Sequence, residues 1–191
     1  MPDGTVTPFE GIGASVKRKE DLRFLSGRGQ YTDDINRPNQ LYAHIIRSPH
    51  PHADLVKVDV AKAKAAPGVV AVFTGANMAK DALGSIPCGW LVKNKDGSPM
   101  AEPPHAPLAA DRVRCVGDQV AVVIAETRNA ARDAAELVEV EYAPRPAVST
   151  MAEALKPGAP LVHDSAAGNL CYDWHLGDGA ARWRELEDAP G

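Results

Sequence analysis

The sequence predicts an α/β (α+β) domain built on one mixed sheet with short helices. Three observations predict it. Apolar residues alternate, or run without interruption, in strand-length segments at 41–48, 55–60, 69–75, 120–125 and 138–142. Short helical patterns lie between them, the clearest at 127–138. Glycine and proline punctuate the joins, as at Pro67-Gly68 and Gly117.

Residues 1–14 are rich in Gly and Pro and form an irregular lead-in. The stretch VKRKEDLRFLSG is helical in pattern, with Leu22 and Leu25 one turn apart, Glu20 and Asp21 early, and Gly27 as the stop. LYAHIIRS is a strand with two apolar sets, Leu41/Ala43/Ile45 and Tyr42/His44/Ile46, which predicts burial on both faces. Pro49 and Pro51 end it, because neither can donate a ladder hydrogen bond. LVKVDV alternates cleanly, with Val56, Val58 and Val60 inward and Lys57 and Asp59 outward. SPHPHAD is then the connection between two strands.

AKAKAAPG reads as a short helix and VVAVFTG as a buried strand. Residues 76–112 hold five prolines and three glycines and read as a long loop whose apolar tip, IPCGWLV, needs cover. A short strand and a glycine turn lead into the continuous apolar strand Val120–Ala125. Thr127 caps the next helix, whose apolar face is Ala130, Ala134, Leu137 and Val138. Val138, Val140 and Tyr142 point inward on the strand that follows, and a strand–helix–strand unit favours parallel pairing. Thr150 and Glu153 make a capping-box pattern. Beyond Gly158 the chain turns irregular.

The chain of 191 residues carries a net charge of -4, which excludes bulk attraction to nucleic acid or anionic membrane. A solvated helix start explains Lys17-Arg18-Lys19 better than a binding patch does. Cys88, Cys115 and Cys171 are far apart and odd in number. They form neither a zinc or iron–sulfur spacing nor a disulfide framework, and they fit a reducing, cytoplasmic compartment. No window approaches a transmembrane span.

Candidate sites are few. His50 and His52 project the same way from an extended segment, but a metal would also need His105 and Asp54, and no spacing forces those together. His44 sits mid-strand, where a core or interface role is expected. Asp33-Asp34 suits a turn better than a magnesium site. GIGASVKR lacks the strand and the third glycine of a dinucleotide fingerprint. No catalytic, cofactor-binding or metal residue is therefore assigned in this chain, which points to a domain working within something larger.

The order of motifs is distinctive. Arg18 with Glu20-Asp21 precedes Gly27-x-Gly29-x-Tyr31 and Asp34. Arg47-Ser48-Pro49 with His52-Ala53 follows, then Pro67-Gly68-Val69, Thr74-Gly75, and Val116-Gly117 leading into Val120-Ala121. Across residues 11–178 this series resembles the N-terminal α/β hammerhead domain of the large subunit of molybdenum hydroxylases, the xanthine dehydrogenase, aldehyde oxidase and carbon monoxide dehydrogenase type. WHLGD at 174–178 leans towards the carbon monoxide dehydrogenase branch.

The resemblance implies a hammerhead domain at 15–158, with 159–191 leading towards cofactor-binding domains. It implies a whole enzyme in which a molybdenum–pterin cofactor hydroxylates a carbon centre with oxygen from water. Electrons would leave through iron–sulfur clusters and FAD on partner subunits. The family's cofactor loops and late catalytic glutamate have no counterpart here, so the chain is expected to be scaffold, as a truncated product, a fragment or a split subunit. The alternative is a stand-alone binding module or an inactive remnant. His52 is expected to pin the RSPHPHA corner.

Overall fold

The computed structural model describes residues 11–14 and 18–177. The start of the lead-in, Lys17 of the basic run and the tail after Gly177 lie outside the described residues. The chain divides into two compact units, 1–40 and 41–191.

In the first unit, α1 (Asp21–Leu25) is a single turn and a half. Its brevity leaves Leu22 and Leu25 exposed, so the expected apolar helix face is not buried within it. Gly27, at φ +69°, stops the helix, and the Arg28 amide closes back onto the Arg23 carbonyl at 2.9 Å. A Cβ on Gly29 would lie 2.7 Å from the Phe24 ring. That ring stacks on Tyr31 at 5.9 Å. Asp34 closes a 3-10 turn at Thr32–Asp34 by accepting the Tyr31 amide at 2.9 Å. The Gly27-x-Gly29-x-Tyr31…Asp34 series is thus one local fold.

The second unit holds β1 (Tyr42–Arg47), β2 (Ala53–Asp59), α2 (Ala61–Lys64), β3 (Val69–Thr74) and α3 (Gly75–Lys80). After a long connection come β4 (Arg112–Val113), β5 (Gln119–Ala125), α4 (Arg128–Ala135), β6 (Glu139–Pro144) and α5 (Met151–Ala154). The α/β (α+β) class with short helices holds. The single sheet does not: the strands form two three-stranded sheets, β1-β5-β3 and β4-β2-β6. Every pairing in them is antiparallel. Parallel pairing across α4 fails because β5 and β6 belong to different sheets, so α4 packs on the first sheet without returning the chain to it.

β5 is the central strand of its sheet and is buried as its apolar run predicts. Val123 enters a core with Ala63, Val72, Ala134 and Ala135, while Val120 enters a second core with Ala53, Ala109 and Val113. β1 is an edge strand rather than a strand buried on both faces, and Leu41, Ala43 and His44 are exposed. In β2 the register shifts between Leu55 and Lys57, a bulge that throws Val56 outward, 59% exposed. Leu55 and Val58 then share the inner side with Val140 and Tyr142. In α4 the Thr127 hydroxyl accepts the Ala130 amide at 3.0 Å, and the buried face is Ala131, Ala134 and Ala135. Leu137 lies past the helix end and is exposed.

The long connection starts in α3, whose first residue, Gly75, lies against the 109–110 backbone. A Cβ there would stand 2.3 Å from the Ala109 carbonyl oxygen. Gly75→Ala is expected to cost about 2–3 kcal/mol by overpacking, and Thr127→Ala about 1 kcal/mol through the lost cap. Urea unfolding of the two variants checks both values.

Candidate functional site

The corner between β1 and β2 carries the chain from the first sheet to the second. The turn from β4 to β5 is a later crossing from the second sheet to the first. The two crossings are joined to each other. The Ser48 amide donates to the Asp118 carbonyl at 2.8 Å, and the Gly117 amide donates to the Ser48 carbonyl at 2.8 Å. Arg47 adds a guanidinium bond to the Gly117 carbonyl at 2.9 Å. Gly117 supplies the turn at φ +89°. Ser48 is 2% exposed, and its hydroxyl accepts the His50 amide at 3.0 Å.

His52 is buried, and its Nδ1 lies 2.9 Å from the Pro146 carbonyl. A carbonyl only accepts, so Nδ1 carries the proton and donates. Its Nε2 is buried and has no hydrogen-bond partner among the described residues. The His52 carbonyl in turn accepts the Arg145 amide at 2.9 Å. His52 therefore pins the corner to the chain leaving β6, the role expected of it. His50 packs its ring against Tyr142, 4.8 Å between centroids. Burial pushes the Tyr142 phenol up from its ordinary value.

Asp54 is not free to bind a metal. Arg112 Nε donates to it at 2.9 Å and Arg145 Nη1 at 2.9 and 3.1 Å. Arg112 first, then Arg145, holds its carboxyl below the usual range. His105 sits on the long connection, exposed. His44 is exposed on the edge strand, so it is not a core histidine. Asp34 is spent on its own turn. Among the described residues no three His, Cys, Asp or Glu side chains are grouped to hold a metal ion. Cys88 and Cys115 are exposed and free, and Cys171 is half-buried and free. Partial desolvation, then Asp118, raises the Cys115 thiol, the reverse of what a nucleophilic cysteine needs.

Two asparagines organise the segments that sequence patterns left as irregular. Asn169, at φ +58°, accepts the Val162 amide at 2.8 Å and donates to the Ala154 and Pro160 carbonyls, each at 3.0 Å. Asn94 bonds Ser98 Oγ at 3.0 Å and the Pro99 carbonyl at 3.1 Å, and it accepts the Asp173 amide at 2.8 Å. The sequence signal for Asn169 was its place after Gly168, a pair that tolerates left-handed backbone. Asn94, between two lysines, carried no such signal.

His52→Ala is expected to lose about 2–3 kcal/mol, from the cavity and the unpaired Pro146 carbonyl; thermal melting checks this. Acidification is expected to destabilise the chain in two steps. Burial, then Arg114, lowers the His163 pKa, so below the ordinary imidazole value of about 6.5 the unfolded chain takes the proton first. Stability falls from there as pH drops. The contribution of Asp54 is present above the ordinary carboxylate range and is lost at lower pH, since its folded pKa is depressed. In a pH series of urea midpoints, His163→Gln removes the first step and leaves the second.

The aldehyde oxidase and xanthine dehydrogenase a/b hammerhead domain model matches residues 26–146. The carbon monoxide dehydrogenase large chain of Afipia carboxidovorans is 36% identical over 89% of this chain and 21% of its own length. The nicotine 6-hydroxylase large subunit of Paenarthrobacter nicotinovorans is 41% identical over 68% of this chain and 15% of its own. The crystal structure of quinoline 2-oxidoreductase from Pseudomonas putida 86 superposes with a TM-score of 0.69 at 40% identity, covering 82% of this chain and 19% of that one. The chain thus spans about a fifth of the length of the carbon monoxide dehydrogenase large chains it matches. It belongs to the a/b hammerhead domain family of aldehyde oxidases and xanthine dehydrogenases.

Proposed function

We propose that this chain is the scaffold and interface domain of a molybdenum hydroxylase large subunit. Its frame occupies residues 15–158, and 159–191 leads towards the cofactor-binding part. One observation carries the reading: the family motif residues of the second unit are committed to turns, crossings and close backbone approaches. Arg47 and Ser48 join the two crossings, His52 pins the corner, and Gly75 and Gly117 meet steric demands.

The candidate side chains among the described residues do not fit a molybdenum–pterin group. His52 is buried at the corner, Asp54 is engaged by two arginines, and the described residues offer no ligand cluster. Their work is to hold strands together, and no step of a hydroxylation runs through them. In the whole enzyme the molybdenum–pterin group would lie in the remainder of the large subunit, with iron–sulfur clusters and FAD on partner subunits. The three free thiols support a cytoplasmic setting, and among the described residues no helix is long and apolar enough to cross a membrane.

Affinity purification from the native host, with metal analysis, tests this. Molybdenum is expected to follow a complex containing the chain joined to, or bound by, a cofactor-bearing polypeptide. The isolated chain is expected to oxidise nothing. Turnover by the chain unaided would overturn the reading. Recovery of the chain alone and without molybdenum would favour a stand-alone binding module.

A further inference from the structure

We propose that the open edge of β1, with α4 beside it, is a binding groove for an extended acidic peptide segment, which joins the three-stranded first sheet as a fourth strand. The inference concerns this surface alone and does not depend on the scaffold reading.

β1 pairs with β5 on one side, and among the described residues no strand pairs with its other side. That edge is a row of backbone donors and acceptors that another strand can use. Tyr42–Ile46 holds neither proline nor lysine, and its register with β5 is unbroken up to Ile46. Tyr42, His44 and Ile46 stand opposite Ala125, Val123 and Ala121. This is the side on which α4 packs, since Ile46 and Val123 meet Ala134 and Ala135 there. α4 runs in the same direction as β1. The Arg128 guanidinium lies over the Tyr42 ring, 5.4 Å from its centroid. One turn on, Arg132, Ala135 and Glu136 line a groove of about 240 Å³ with His44 and Ile46.

Charge selects the occupant. Arg128 and Arg132 follow one another along the helix wall, and Arg47 stands at the far end, against a single carboxylate, Glu136. Arg132 is exposed, and its guanidinium makes no hydrogen bond or ion pair among the described residues. Two arginines four residues apart are separated by about 6 Å along the helix axis. Side chains on one face of a strand repeat about every 6.6 Å. A strand laid along β1 with carboxylates at alternate positions on the α4 side therefore presents one to each arginine. The ladder supplies affinity, and the charge spacing supplies selectivity.

The experiment titrates the 191-residue chain against two fluorescein-labelled, end-blocked peptides, TEVEVT and TKVKVT, and reads anisotropy at low salt. The acidic peptide is expected to bind about tenfold more tightly than the basic one. Arg132→Glu is expected to reverse that preference, and Lys80→Glu, a cation on α3, to leave it unchanged. Amide exchange is expected to slow at Tyr42–Ile46 when the acidic peptide saturates the chain. Melting of each variant alone separates lost binding from lost folding. The proposal is overturned if neither peptide binds, if both bind equally, if the acidic preference survives Arg132→Glu, or if the protected amides lie elsewhere. Displacement of the acidic peptide by a thymidine octanucleotide more readily than by unlabelled peptide would overturn the choice of occupant. So would self-association of the chain through the same amides.

Discussion

The second unit depends on two strand crossings held to each other. The β1–β2 corner takes the chain from the first sheet to the second and the β4–β5 turn is a later return to the first, in a unit where every consecutive pair of strands changes sheet. Ser48 is where they meet. Its amide and carbonyl are both used across the join, to Asp118 and Gly117, while its hydroxyl orders the corner itself. Ser48 is buried, and leaving one of its backbone groups unpaired would be costly. The proline pair that ends β1 forbids further ladder pairing, and the crossing supplies the partners that the ladder no longer can.

Around that join the cores are small. Alanine and valine fill them, and the residues of α4 that meet the first sheet are alanines. Small side chains bring helix and sheet close together. They also bury little apolar area per residue, and the stabilisation scales with that area. Larger apolar groups pack only at the margins of the two cores, Ile46 on the first and Leu55 and Tyr142 on the second, while Trp90, Leu91 and Leu176 are exposed.

Electrostatics reinforce the same geometry without making a reaction centre. Asp54 lies at the start of β2 and gathers Arg112 from β4 and Arg145 from the chain leaving β6, so one carboxylate ties all three strands of the second sheet at one end. Pairs this exposed contribute little individually, but they favour the register in which the edge strands arrive. The histidines at the corner serve the fold in a comparable way, one through a carbonyl and one through a ring contact. The likeness to hydroxylase large chains and the geometry therefore agree on a structural part.

Elements were legible from the residues alone wherever the signal was local. The apolar run of β5, the Thr127 cap, Val140 and Tyr142 of the inward set of β6 (Val138 precedes the strand and packs on the first core) and the stop at Gly27 each rest on neighbours within a few residues. The motif series that marks the family was legible too, as was the pinning role of His52. The non-local features were not. Division into two sheets, antiparallel pairing throughout, and the exposure of His44 on an edge all depend on which strands become neighbours, and alternation along one strand carries no information about that. The bulge at Val56 inverted a clean alternation, because pairing with β6 needed Leu55 and Val58 on one side. Asn94 and Asn169 order segments that lack any periodic pattern, since their bonds reach backbone that is close in space and not in sequence. Periodicity reports the period of an element; only packing settles what lies across from it.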